Sequence, residues 1–594
     1  MMIRGRPRLN WYGKRCSPPI SAFDVRLLER YGKGDASQGV NLYWGDNLHV
    51  LQYLARDYMG QIKLIYLDPP FNSNVCYKRV VALRGTAQLT KVVVDKQYGD
   101  VWSDDMYLQY MYERLLLMRK LLVSDGCIFL HCDWHRNHHL RCILEEVFTQ
   151  KNFLCEIIWQ RSKGHNLSES MYEVMTDTIL VYGNSSIAQL RAQYQRLSDA
   201  ELTSKFPYIE KETKRRFNHE KLEKSANAHS AGETRVIQGQ SIVSNIGWIW
   251  TQETFDQRLE ENPHLIYWTK SGRPRYKNYA DQYKGRKIGN LWTDISPLNA
   301  TAHERVNYPT QKPEALLERI IRSASDPGDI VFDCFMGSGT TLAVARKLGR
   351  RFIGSDINLT AIDTAVQRIL DQSQDQSVLD LSVYTVNNSG LFRNPIEAKM
   401  KLMRSLGLKS RSGGFFDGQH RDYWVKIMAM NRSTTQADLA DLVSYLNYEK
   451  GSVAKLLLVC MGYELDIVSF IKQGVTYPVE VCIYDGLEML DHGELQHHDS
   501  KIRVENGMLT IEEISFPELV TLFPHKQKNI TWKQYVISVM IDWDYNGTVF
   551  APTTFDSSSC WNQVVAGVYP VPTACGDIRV KIIDILGGSL IVKV

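Results

Sequence analysis

No apolar run of eighteen residues occurs in the 594-residue chain, so the roughly 20-residue helix that a bilayer demands has no candidate segment. The eleven cysteines are an odd number and none stands in a CxxC pair, which excludes a disulfide framework and a zinc ribbon and suits a reducing cytoplasm. The first 23 residues are basic and contain proline, but they lack an apolar stretch of signal-peptide length. Charge of one sign is also scarce: 70 basic against 66 acidic residues leave a net charge of +4. Contact with a nucleic acid would therefore need a local patch, because no global field exists. What is present is ordinary for a globular protein, with 44% hydrophobic and 23% charged residues and enough length for two or three domains.

Residues 1–39 read as a basic, loosely structured leader. From residue 40 apolar strands alternate with helical spacing: strand 40–44, helix 48–58, strand 63–67, helix 107–122, strand 127–130, helix 137–148 and strand 153–159. That alternation predicts a doubly wound α/β sheet with crossover helices. It is lost over 186–295, where charged, aromatic and turn residues dominate a stretch too long for a loop, so an inserted subdomain is expected there. It returns with helix 313–323, strand 330–332, helix 340–348, strand 351–354 and a helix to about 370. The α/β domain is thus placed at 40–372, followed by a separate α/β region at 378–500 and a small β-rich region at 501–594.

Two apolar strands end in sharp polar turns, and ligands of open α/β sheets sit outside the carboxyl ends of strands. The first turn is Asp68-Pro69-Pro70-Phe71. Two prolines stiffen it, a carboxylate and a free carbonyl can accept hydrogen bonds from an amine, and an aromatic ring can stack on an extruded base. The second is Asp333-Cys334-Phe335-Met336-Gly337-Ser338-Gly339, whose glycines let the backbone approach a ligand. A lone Gly-x-Gly is weak evidence. Asp356, at the end of the next strand, adds a carboxylate suited to ribose hydroxyls, and no Walker lysine follows the loop, so an adenosyl group fits better than a bare phosphate.

In this order the pair resembles the signature motifs of the β-class DNA amino-methyltransferases, which modify N6 of adenine or N4 of cytosine. The resemblance covers about residues 40–370 and implies a permuted Rossmann-like fold with a mixed, mainly parallel sheet. It implies Asp68, Pro69, Pro70 and Phe71 as catalytic residues and S-adenosylmethionine as cofactor, held by Asp46, Thr310, Gln311, Lys312, Asp333, Phe335, Gly337, Gly339 and Asp356. Asp46 lies in the turn Gly45-Asp46-Asn47, equally readable as a helix N-cap, and 310–312 in Tyr308-Pro309-Thr310-Gln311-Lys312-Pro313-Glu314, equally readable as a helix start. The family's loop has proline where Cys334 stands here. Chemistry at C5 of cytosine would require a Pro-Cys nucleophile, and the chain contains no such dipeptide. Ser17-Pro18-Pro19 follows charged residues instead of a strand and reads as a leader turn. His131, His135, His138 and His139 crowd together, yet the chemistry needs no metal and none is expected.

Within the insertion, Trp268 to Lys277 and Tyr283 to Lys287 interleave basic and aromatic side chains, a composition that neutralises phosphates and stacks bases. DNA contacts are expected from Arg273, Arg275, Lys277, Arg286 and Lys287, with Trp159 and Arg161 lining a flipped-base pocket. Further along, Phe415-Phe416-Asp417-Gly418 and Tyr423-Trp424-Val425-Lys426 resemble a PD-(D/E)xK nuclease core in which Trp424 replaces the acidic residue, a degenerate version. The resulting expectation is a cytoplasmic adenine-N6 DNA methyltransferase, the modification component of a restriction or phage-defence system. Its partners would be double-stranded DNA, restriction, helicase or other defence subunits, and a second copy of itself, with no membrane. A cytosine-N4 enzyme, a fused methylase-nuclease and a non-catalytic DNA-binding subunit remain as alternatives.

Overall fold

The computed structural model describes residues 8–11, 14–16, 25–32, 39–70, 76–85, 91–99, 104–162, 172–224, 232–299, 302, 304–306, 311–372, 380–386, 399, 402–403, 406–408, 415–428, 434, 436–448, 453–460, 467–485, 500–516, 530–558, 562–585 and 589–594. They divide into two compact units, Ala192–Gly289 and the remainder.

The larger unit is organised on a ten-stranded mixed sheet. From one edge its order is Val25–Tyr31, Leu381–Val386, Val40–Trp44, Arg351–Asp356, Ile330–Asp333, Ile62–Leu67, Leu122–Cys132, Thr176–Gly183, Phe153–Gln160 and Leu291–Trp292. Every pairing from Leu381–Val386 to Leu122–Cys132 is parallel. Thr176–Gly183 runs antiparallel to both of its neighbours. The central strands are buried on both faces, which is why they read as continuous apolar runs. Alternate residues separate those faces. Ile65, Leu67, Ile128, Leu130, Ile330 and Phe332 pack with the helices Asn47–Asp57, Asp104–Leu121 and Asn137–Phe148. Leu64, Tyr66, Phe129, His131 and Val331 belong to the other face, and the helices Glu314–Ala324, Thr340–Lys347 and Leu359–Gln372 supply separate contacts to the sheet.

The sheet corrects the expected boundaries at both ends. Within residues 1–39, Val25–Tyr31 pairs antiparallel with Leu381–Val386, and Trp11 is buried, its indole N–H donating to Gln109 Oε1 at 3.0 Å. The sheet likewise does not end at 372, because Leu381–Val386 inserts between the first strand and Val40–Trp44. An edge strand needs a partner for its backbone groups, and these two distant segments supply one another's. Three charged residues in Val25–Tyr31, Arg26, Glu29 and Arg30, conceal the strand from a reading by composition.

The smaller unit carries a four-stranded antiparallel sheet in the order Tyr208–Ile209, Arg216–Lys221, Pro274–Tyr279 and Ile266–Trp268. Leu222, Ile237, Trp248, Phe255 and Ile266 form its core, with Phe255 contributed by the helix Gln252–Glu261.

After the main sheet, strands Gly418–His420, Tyr423–Ile427, Lys455–Cys460 and Glu480–Asp485 form a second mixed sheet, accompanied by helices Gln436–Tyr448 and Ile467–Gly474 around a core of their own. The last strands make two small sheets over a third core. This terminal β region is anchored to the main sheet by a buried ion cluster. Lys581 Nζ lies 2.9 Å from Glu29 Oε2 and 2.7 Å from Asp363 Oδ1, with all three side chains at most 5% exposed. Among the described residues, no helix is long and apolar enough to cross a membrane.

Candidate active site

Strands Ile62–Leu67 and Ile330–Asp333 are direct neighbours, paired in parallel through Leu64 with Val331 and Ile65 with Phe332. Their carboxyl ends therefore deliver the Asp-Pro-Pro turn and the glycine loop side by side. This juxtaposition joins segments more than 260 positions apart in sequence.

Asp68 follows the first strand. Its Oδ2 accepts a hydrogen bond from Lys312 Nζ, whereas Oδ1 is buried and has no hydrogen-bond partner among the described residues. A buried unpaired acceptor is costly unless a ligand satisfies it. Pro69 is buried and Pro70 half-buried. Phe71, expected to stack on the base, lies outside the described residues, as does Thr310.

The glycine loop is held rigidly from within. Gly337 and Gly339 have φ of 51° and 70°, the left-handed region, and a Cβ on Gly339 would stand 2.8 Å from Ala365 Cβ. Asp333 is enclosed, with Oδ1 accepting the Phe335 N–H at 3.0 Å and Oδ2 the Thr341 hydroxyl at 2.6 Å. Burial pushes its carboxyl up to about 7, with the charges of Asp68 and Asp356 adding to the shift against those two hydrogen bonds. Through these two bonds it shapes the loop. Asp356 Oδ2 accepts the Gly337 N–H at 2.9 Å and Oδ1 the Asn358 N–H at 2.8 Å, and burial raises it to about 6. A carboxylate offers about four acceptor positions, so capacity for ribose hydroxyls remains.

Asp46 is a helix N-cap, the second of its expected readings. Its Oδ1 caps the helix Asn47–Asp57 through the Leu48 N–H at 2.7 Å and pairs with Arg114 Nη2 at 2.8 Å. The buried Arg114 also donates to Asn47 Oδ1, and Asn47 donates to the Cys334 carbonyl at 3.1 Å, linking this turn to the glycine loop. Arg368 supports the loop from the other side through Thr340 Oγ1 at 3.0 Å and the Ser338 carbonyl. Neither arginine was anticipated from sequence. The available signal was a charged residue inside an apolar helical stripe. Gln311, expected at the cofactor, bonds instead to Glu304 and Val306 and folds its own segment.

The expected DNA residues divide. Trp159 is enclosed, at 3% exposed, with its N–H given to the Ile295 carbonyl at 3.0 Å, so it is a packed wall and not a surface contact. Arg161 is half-exposed and paired with Asp177. In the smaller unit Lys277 is drawn inward by Glu210, whose carboxylate also accepts from Tyr279, and Arg273 pairs with Glu223. Arg275 lies beside His219 on the sheet face that also carries the stacked rings of Tyr208, His219 and Tyr267. Arg286 and Lys287 are exposed, Arg286 loosely paired with Glu201 at 3.4 Å.

A family profile described as DNA methylase matches residues 62–367, just over half of the chain and inclusive of both turns. The chain belongs to the DNA methylase family. This methylase is 29% identical over 374 residues to the type II methyltransferase M.EcaI of Enterobacter cloacae, an alignment spanning 62% of the chain and 78% of that enzyme. It is 28% identical over 327 residues to the StyLTI Mod subunit, a type III restriction-modification enzyme of Salmonella typhimurium, across 50% of the chain but only 48% of that subunit. A shorter match, 44% identical over 115 residues, links 19% of the methylase to 38% of the DNA adenine methyltransferase YhdJ of Escherichia coli. Among solved structures, the M1.HpyAVI–SAM complex aligns over 56% of the methylase and 98% of its own chain, at 16% identity and a TM-score of 0.31.

Proposed function

We propose that this methylase transfers a methyl group from S-adenosylmethionine to N6 of an adenine flipped out of double-stranded DNA, as the modification component of a restriction-modification system in the cytoplasm. The observation that carries the reading is the pairing of Asp68, with its unsatisfied buried oxygen, beside a glycine loop closed by Asp356. The loop suits the cofactor: its two left-handed glycines allow a tight turn at the carboxyl end of the strand, and Asp356 retains acceptor capacity.

When bound, the cofactor supplies an electrophilic methyl on a sulfonium. The protein's own part is to prepare the nucleophile. Asp68 Oδ1 and the Pro69 carbonyl accept the two amine N–H groups, which draws the nitrogen lone pair out of the ring and aims it at the methyl. As the amine took up that methyl, Asp68 Oδ1 and the Pro69 carbonyl would hold the positive charge developing on nitrogen until one of its protons passed to solvent. Lys312 holds Asp68 Oδ2, which leaves Oδ1 to face the substrate. The names of the Mod and YhdJ relatives favour adenine and a restriction subunit as partner.

The test is to incubate the chain with labelled cofactor and unmethylated DNA, digest the DNA to nucleosides and separate them. N6-methyladenosine is expected, and its loss in Asp68→Ala at unchanged cofactor affinity. Label in N4-methylcytidine would overturn the base assignment, and unchanged activity in Asp68→Ala would overturn the site.

A further inference from the structure

Behind the Asp-Pro-Pro turn, a chain of polar side chains crosses adjacent strands of an otherwise apolar sheet. Tyr66 on Ile62–Leu67 meets His131 Nδ1 at 2.9 Å, and His131 Nε2 meets Asp177 Oδ2 at 3.2 Å. His131 stands on Leu122–Cys132 and Asp177 on Thr176–Gly183, the next two strands in the sheet. Asp177 Oδ1 then lies 3.2 Å from Nε of Arg161, just beyond Phe153–Gln160. The three inner residues are 0–3% exposed, and Trp159 closes the site edge-on, 5.7 Å from His131.

We propose that His131 is a positioning residue for methyl transfer, fixing the strand end that carries Asp68 through Tyr66 and anchoring it across the sheet to Asp177. Tyr66 is the penultimate residue of the strand and Asp68 follows the strand directly, near enough for the Asp68 charge to act on the Tyr66 hydroxyl. Asp177 lies on the opposite flank. Burial alone would push its carboxyl up, but the His131 hydrogen bond and the charges of His131, Lys312 and Arg161 outweigh this and hold it below the ordinary range. The Asp68–Lys312 pair is thereby bracketed, with Tyr66 before Asp68 in the strand and Asp177 within electrostatic reach of Lys312.

The direction of the bonds follows from the groups involved. A carboxylate only accepts, so the bonding pattern assigns a proton to Nε2, while Nδ1 and the Tyr66 hydroxyl share the other bond. Each partner's geometry then depends on the next. Three apolar side chains would fill the same volume without desolvating any polar group. A satisfied buried network supplies directional rigidity that apolar packing lacks, and displacement of a reacting group by about 1 Å costs rate on the order of 100-fold.

The proposal rests on the DNA-methylation reading, and one assay examines both. Single-turnover methyl transfer is measured on the full chain with labelled S-adenosylmethionine and unmethylated DNA, comparing wild type, Asp68→Ala, Tyr66→Phe, Asp177→Asn and the double variant Tyr66→Phe/Asp177→Asn. Tyr66 and Asp177 communicate through His131, so each single variant is expected to slow transfer about tenfold with KM for both substrates within about threefold. The double variant is expected to be no more than about twofold slower than the worse single, because one break already uncouples the relay. His131→Gln, which keeps a donor and an acceptor, is expected to retain more rate than His131→Phe at matched melting temperature. Single variants with wild-type rate, effects that multiply in the double variant, or a rise in KM alone would each overturn the proposal. A wild-type chain that labels no DNA refutes the underlying reading, and the proposal with it.

Discussion

Replacing Lys581 by Met tests the most concentrated buried charge in the protein. The ammonium lies 2.9–3.0 Å from both oxygens of Glu29 and 2.7 Å from Asp363, and Glu29 also accepts from the Tyr31 hydroxyl at 2.6 Å. Met matches the length of the lysine stem but leaves two carboxylates buried without their cation. Breaking a buried ion pair by removing one partner costs about 3–5 kcal/mol, most of it the penalty on the charge left behind. At about 2 °C per kcal/mol for a large unit, the melting step of the larger unit should fall by about 6–10 °C. Differential scanning calorimetry reads the step directly. The cause is separable from lost packing, because Glu29→Gln and Asp363→Asn in the Lys581→Met background remove the stranded charges and should recover more than half of the loss. A shift below about 1 °C in Lys581→Met, or no recovery in the triple variant, would refute the reasoning. Either result would mean that water reaches the cluster and that the terminal β region is not anchored there.

Gly339→Ala combines a left-handed φ, costing about 1–2 kcal/mol, with a Cβ only 2.8 Å from Ala365 Cβ, so calorimetric titration should show S-adenosylmethionine affinity falling at least tenfold. Burial holds Asp333 at about 7 and Asp356 at about 6, above the ordinary carboxylate value, so the folded state binds these protons more tightly than the unfolded state. Their stabilising contribution is therefore full below about pH 4 and lost as pH rises through 6 to 7; melting curves from pH 5 to 8 should decline less in Asp333→Asn than in wild type, and parallel curves would contradict this. Lys277→Met should lower the melting temperature of the Ala192–Gly289 unit by stranding Glu210, while Arg275→Ala should leave melting unchanged and reduce the salt dependence of DNA binding by about one counterion.

The α/β core and its two turns were legible because they depend on local patterning. Residues 62–67 and 330–333 are apolar strands buried on both faces, and each is followed at once by residues with restricted or permissive backbones. Lys312 was expected at the site, but its ion pair with Asp68 was not, since nothing in Gln311-Lys312-Pro313 indicates which of 66 acidic residues it will meet. The basic residues of the insertion could not be told apart for the same reason. Composition counts Lys277 and Arg275 alike, and only the Glu210 carboxylate, 67 positions away, makes Lys277 an internal ion pair while Arg275 lies beside His219.

By itself the sequence determined which backbone segments end in turns able to hold an amine and an adenosyl group, because proline and glycine restrict φ and ψ wherever they stand. It also determined the family, through two motifs in a characteristic order. Tertiary structure alone decided that Val25–Tyr31 completes the sheet edge opposite Leu381–Val386, that Lys581 bonds to Glu29, and that Tyr66, His131 and Asp177 form one hydrogen-bonded line. These are pairings between residues from 46 to 552 positions apart. Strand order brings such residues within hydrogen-bonding distance, and strand order is set by the packing of the whole sheet, which no local stretch of the chain encodes.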